Sequence, residues 1–179
     1  VKQTQRAAEI LSEILVNFAD EFDEIKVHYA RGNHERITPN KKESITRESF
    51  FDFIPWYLEA RLAHIKNIEI KKNEFDDEII TTRICDCNIF AMHGHRDSLN
   101  NVVQNMTTMT RKFPDCIFLA HYHRDSSDEK LMCDVIVNPS LAGPDDYAIE
   151  KRLLSKPAQK LIIFDKEEGK LCTYSLQLA

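Results

Sequence analysis

Three short apolar segments, each running straight into a polar loop that carries histidine, limit most sharply what this chain can fold into. Ile25, Val27 and Tyr29 alternate with Lys26, His28 and Ala30 and lead into Arg31-Gly32-Asn33-His34-Glu35. Asn88-Ile89-Phe90-Ala91-Met92 ends at His93-Gly94-His95, and Cys116-Ile117-Phe118-Leu119-Ala120 ends at His121-Tyr122-His123. Alternation predicts a half-buried strand, and a short continuous apolar run predicts a strand covered on both faces, as in a parallel sheet. Folds of that kind gather ligands beyond the carboxyl ends of their strands. The three loops are therefore expected to converge on one site.

The remaining periodicities fill in an α/β chain. Ala7, Ala8, Leu11, Ile14, Leu15 and Phe18 form one helical stripe over 4–18. A second helical pattern runs from Ser44 to about His64, with Pro55 expected to kink or split it. Short strands are expected around Ile68–Ile70 and Ile79–Ile84, a helix over 98–112, and late strands near 131–137, 161–164 and 171–176. The last two are joined by a turn at Gly169. No repeat, linker or low-complexity tract interrupts the 179 residues, so one domain spanning 1–179 is expected.

Composition narrows the function classes. Hydrophobic residues make up 42% and charged residues 30%, a globular mix, and no apolar run approaches the roughly 20 residues that span a bilayer. The opening VKQTQRAAEI lacks the apolar core of a signal peptide. Five cysteines, odd in number and without a CxxC pair, read as free thiols in a reducing cytosol, so a cytoplasmic location is expected. With a net charge of −5 there is no basic footprint for nucleic acid, and a phosphate-bearing partner would need a local positive centre such as a metal. Five of the seven histidines and two of the four glycines lie in the three candidate loops, and a third glycine, Gly143, lies in the later segment 138–148.

The residue types suit metal chemistry. Gly32 allows a tight turn, Asn33 offers an amide oxygen, and His34 an imidazole that Glu35 could orient. His93/His95 and His121/His123 each place two imidazoles two residues apart, where strand geometry would face them the same way. Imidazole nitrogen and amide oxygen suit Mn, Zn, Fe or Ni rather than Ca. His95, Arg96, Arg124 and Tyr147 are candidates for substrate contact; a structural role is equally open for His95 and Tyr147, while for each arginine, Arg31 and Arg36 included, a plain surface role is the commoner case. His28 and His64 read as ordinary histidines, and Cys85 and Cys87 as structural thiols.

Three of these segments in order, Gly32-Asn33-His34-Glu35, His93-Gly94 and Ala120-His121-Tyr122-His123, resemble the later motifs of the calcineurin-like metallophosphoesterases: GNH[DE], a histidine before glycine, and GHxH. Ala120 stands where the last motif has glycine. Asn138 to Ala148 also resembles a loop of phage-encoded members near the DNA-repair exonuclease branch. The resemblance implies a layered α/β/β/α sandwich. It implies that Asn33, His93 and His121 ligate one metal, Mn first among the choices, and that His123 contributes to a second. His34 would be the general acid protonating the leaving oxygen, with Glu35 holding its ring. The substrate would be a phosphoester, most plausibly a phosphodiester in nucleic acid or a nucleotide.

The family opens with DxH and GDxxD, and this sequence contains neither. The resemblance thus implies an N-terminally truncated member with about one tight ion per chain. It leaves a catalytically degenerate protein-binding scaffold as the rival reading, and a protein phosphatase as a third. It also implies an exposed sheet edge at 25–30, covered either by self-association, most simply as a two-fold dimer, or by rearrangement of the sheet.

Overall fold

A computed structural model describes residues 2–38, 40, 42–43, 48–144, 146–150, 152 and 155–178, the Tyr147 side chain excepted. The chain divides into two compact units, 1–73 and 74–179.

The first unit packs two helices against a two-stranded parallel sheet. Helix α1 (Lys2–Ala19) buries Ala8, Ser12 and Leu15, while Leu11, Ile14 and Phe18 of the expected stripe stay 40–47% exposed. Ser12 tolerates burial because its hydroxyl donates to the Glu9 carbonyl at 2.7 Å. Strand β1 (Ile25–Val27) pairs in register with β2 (Ile68–Ile70), its one strand partner among the described residues. Leu15 meets Leu58 and Leu62 of α2 (Phe53–Leu62), and Ile25, Val27, Ile68 and Ile70 pack against that cluster. Pro55 does split the second helical pattern: a 3-10 turn at Phe50–Asp52 precedes α2, and the proline sits in the first α turn, where its missing N–H has no intrahelical partner to lose. Residues 44–47 lie outside the described residues. Asn67 ties the unit together by donating to the Ala19 and Phe22 carbonyls, both at 2.8 Å, where α1 runs out of internal partners.

The second unit is built on a mixed five-stranded sheet in the order β3-β4-β5-β7-β6, made of β3 (Ile79–Ile84), β4 (Cys87–Met92), β5 (Cys116–Leu119), β6 (Ser126–Lys130) and β7 (Cys133–Val137). The three inner strands run parallel, as their continuous apolar character predicts, and β3 and β6 pair antiparallel at the edges. Helix α3 (Val102–Thr110) lays Val102, Val103 and Met106 on Phe90, Ile117, Leu119 and Val135, all at most 2% exposed. Burying side chains of this size contributes about 1.5–3 kcal/mol each. Helix α3 is shorter than the 98–112 expected, because residues 97–101 form turns and Arg111 ends it in the left-handed region at φ 57°. A short helix α4 (Asp146–Glu150) and the hairpin β8 (Ala158–Asp165) and β9 (Gly169–Gln177) complete the unit. The architecture is thus mixed α/β with a central mixed sheet and flanking helices. No helix among the described residues is long and apolar enough to cross a membrane.

Candidate metal centre

Adjacent parallel strands bring two of the histidine loops together. Met92 and Leu119 are register partners at the carboxyl ends of β4 and β5. One residue further, the Ala120 N–H donates to the His93 carbonyl at 3.2 Å, so His93 and His121 emerge side by side. Their rings lie 5.0 Å apart, and Nδ1 of His121 faces Nε2 of His93 at 3.2 Å. His95 completes a three-ring cluster at 5.5 Å from His93 and 6.2 Å from His121.

Backbone strain shapes this corner. Gly94 has φ 93°, a backbone conformation that favours glycine, and a Cβ there would press on Leu119 at 3.3 Å. After β5 the Tyr122 N–H turns back to the Ala120 carbonyl at 2.6 Å, with His121 between them at φ 60°. A three-residue turn with positive central φ is the rare, strained kind of γ-turn. His123 is also left-handed, at φ 49°. The expected same-facing His-x-His spacing assumes extended backbone and does not apply to this bent loop. His121 is half-buried in the ring cluster, and His123 is exposed.

Neighbouring groups hold the loops in place. The Tyr122 ring packs on the core beneath α3, and its hydroxyl donates to the Asp97 carbonyl. Burial pushes both the Tyr122 hydroxyl and the Asp97 carboxyl above their ordinary pKa ranges. The Arg124 guanidinium sits 5.9 Å over the Tyr122 ring, a cation–π distance. Asp125 accepts from Lys160 Nζ at 2.5 Å and from Ser175 Oγ at 2.6 Å, and Lys160 also donates to Ser175 at 2.7 Å. These bonds hold Asp125 below the usual carboxylate range, Lys160 contributing most. The Lys160 side chain is only 8% exposed, so the loop carrying His123 is pinned to the β8–β9 hairpin.

Glu78, which no motif singles out, belongs to this corner. Ile79 pairs with Met92, so the residue before β3 stands across from the one after β4. The Glu78 carboxylate accepts from Arg96 Nη2 at 2.9 Å and lies 3.9 Å from His95 Nε2.

In the first unit, the Gly32–Glu35 turn follows β1. Arg31 makes a two-pronged bond to Asp52 at 2.8 and 2.9 Å, and Arg36 donates to the Asn33 carbonyl at 2.5 Å. The Glu35 carbonyl accepts from Phe50 N at 2.8 Å and Ser49 Oγ at 3.2 Å. A Cβ at Gly32 would fall 2.8 Å from Glu35 Oε1, so a larger residue there would displace the Glu35 carboxylate. Glu35 Oε2 is buried with no hydrogen-bond partner among the described residues, Asn33 is half-buried and His34 is exposed. His28 is half-buried, and burial holds it below the ordinary histidine range, while His64 is exposed. Tyr147 lies on the backbone of α4, its side chain outside what is described.

The geometry allows a test of fit for a metal. Tetrahedral zinc with bonds of 2.0–2.1 Å separates its ligand nitrogens by about 3.3 Å. The His93 to His121 separation of 3.2 Å matches such a ligand–ligand edge. Two neutral imidazoles alone do not complete a site, and no group of three His, Cys, Asp or Glu among the described residues has metal-holding geometry. The pair therefore has the spacing of two ligands, and any ion there would need its remaining ligands from other donors.

No protein-family model matches the chain. It is similar to the SPbeta prophage-derived uncharacterized protein YonJ of Bacillus subtilis (strain 168), with 23% identity over 158 residues, 83% of this chain and 38% of that protein. The chain thus spans well under half of the curated relative it matches. Among solved structures, a Thermotoga maritima protein determined by solution NMR covers 92% of this chain and 86% of its own at 13% identity and a TM-score of 0.51, which shows a shared fold. A novel archaeal phosphodiesterase (19% identity, 89% of this chain, 74% of its own) aligns at a TM-score of 0.47. Vps29 from Entamoeba histolytica complexed with zinc (13% identity, 86% of this chain, 97% of its own) aligns at 0.44.

Proposed function

We propose that this chain is a metal-dependent phosphoester hydrolase of the calcineurin-like metallophosphoesterase type, acting on a phosphodiester in nucleic acid or a nucleotide. The observation that carries the reading is the pair of imidazole nitrogens at 3.2 Å, spaced like the edge of a coordination polyhedron at the carboxyl ends of two parallel strands. Support comes from the three motif segments in family order, and the prophage-derived relative agrees with a phage context. His93 and His121 would hold the ion, with Mn the first choice among the transition metals that imidazole suits. When bound, such an ion supplies Lewis acidity toward a phosphoryl oxygen and lowers the pKa of water. The resemblance gives Asn33 a ligand's role on the same ion, His123 a share of a second, and His34, with Glu35 beside it in sequence, the proton for the leaving oxygen. A single tight ion per chain, a cytoplasmic setting and self-association belong to the same reading.

The test joins metal analysis to turnover of bis-p-nitrophenyl phosphate with added Mn²⁺. The expected result is metal-dependent hydrolysis that His93→Ala abolishes together with metal content. His34→Ala is expected to lower kcat by roughly 10²–10⁴ with metal retained, because a general acid acts only in the transition state. A clean preparation with neither bound metal nor turnover overturns the reading. It favours the second reading, a catalytically degenerate protein-binding scaffold.

A further inference from the structure

Hydrogen bonding around His95 fixes what that ring can do. Arg96 Nε lies 3.3 Å from His95 Nε2, and a guanidinium nitrogen can only donate. Nε2 must therefore accept, which leaves the ring proton on Nδ1. The other partner near Nε2, Glu78 Oε2, is 3.9 Å away and outside hydrogen-bond range, so it does not draw a proton onto Nε2. The carboxylate instead accepts from Arg96 Nη2 at 2.9 Å. The order is carboxylate to guanidinium to imidazole, with Glu78 and His95 side chains only 20% and 17% exposed.

Two consequences follow. With Nε2 engaged and Nδ1 protonated, His95 has no free lone pair for a metal, although its ring lies among those of His93 and His121. What it has is an N–H donor. Beside it, Arg96 has spent two of its donors on Glu78 and His95, and its side chain remains 60% exposed. A fixed imidazole N–H next to a guanidinium with donors to spare suits a tetrahedral oxyanion.

We propose that His95 and Arg96 form a phosphoryl-oxyanion subsite, with Glu78 as the positioning residue that holds Arg96 and, through it, the tautomer of His95. The ligand class rests on the phosphoester reading above, while the tautomer rests on the geometry alone.

The experiment uses the metal-stripped 179-residue chain and long-range proton–nitrogen NMR of the imidazoles, with the His95 signals identified by their loss in His95→Gln. The expected wild-type spectrum shows His95 protonated on Nδ1. Titration with inorganic phosphate should move those signals, and Arg96→Met should weaken the phosphate response by about tenfold or more. Glu78→Ala should release the tautomer preference without altering the other histidines. An Nε2-protonated His95 in the wild type overturns the proposal with no variant needed. A correct tautomer that phosphate leaves unmoved, or that responds equally in Arg96→Met, overturns the anion subsite. Failure of hydrolysis with bis-p-nitrophenyl phosphate is read separately, since this measurement needs neither metal nor turnover.

Discussion

His123 offers a clean measure of the strain stored in the histidine loop. It is exposed and left-handed at φ 49°, so replacing it removes little packing and changes mainly the backbone's preference. An L-residue in this region costs about 1–2 kcal/mol, and glycine escapes that cost. Glycine also gives the unfolded chain more freedom, a loss of about 0.5–1 kcal/mol relative to alanine. His123→Gly should therefore be more stable than His123→Ala by about 0.5–1 kcal/mol. For a chain of this size that corresponds to roughly 1–4 °C in Tm. Urea and thermal unfolding of the two variants, both metal-free, give the comparison. His121→Gly serves as the control, because its ring faces His93 at 3.2 Å and its loss should cancel the backbone gain. An alanine variant as stable as the glycine one would refute the reasoning and show that the left-handed turn carries no strain.

Three other measurements probe the second unit. The two-residue loop between β6 and β7 places Leu131 and Met132 at φ 53° and 65° and leaves them 69% and 86% exposed, so the double change to Asn-Gly should stabilise the hairpin by about 1–2 kcal/mol in urea unfolding. Asp125 has its pKa lowered from 3.8 by Lys160 and Ser175, so its contribution is present above that value and is lost as pH falls through the lowered one; Asp125→Asn should make the acid limb of the stability profile shallower below about pH 4. Burial pushes the Cys116 and Cys133 thiols up to about 12, so at pH 8 a maleimide should label them only on unfolding, as mass spectrometry of the labelled peptides would show.

The strands that carry the site could be read from sequence because they are apolar and short. Ile79–Ile84, Cys87–Met92 and Cys116–Leu119 each match their expected position, while in the first unit β1 stops at Val27, short of the expected 25–30. Strand β6, Ser126–Lys130, could not: its sequence is SSDEK, with no apolar alternation, because it pairs on one side only and its other edge is kept polar. The clustering of His93 with His121 follows from two strand ends lying in register, which the paired motifs suggested. The bend that sends His121 and His123 out of strand geometry does not, since it depends on one backbone bond from Tyr122 to Ala120. Glu78 carries no local signature either. Only the β3–β4 register sets it opposite the His93–His95 loop, and that register is a tertiary fact.

The pin between Asp125, Lys160 and Ser175 has a consequence for the order in which the site is made. Ser175 lies 50 residues after Asp125 in the chain. At roughly 5–20 residues per second, synthesis leaves that interval at about 3–10 s. Through it, the parallel strands carrying His93 and His121 already exist while the strand that fastens the far side of their loop does not. The sheet can thus assemble first and the imidazoles take their final positions last, so the His93–His121 spacing should be set on a ribosome only once β9 has emerged.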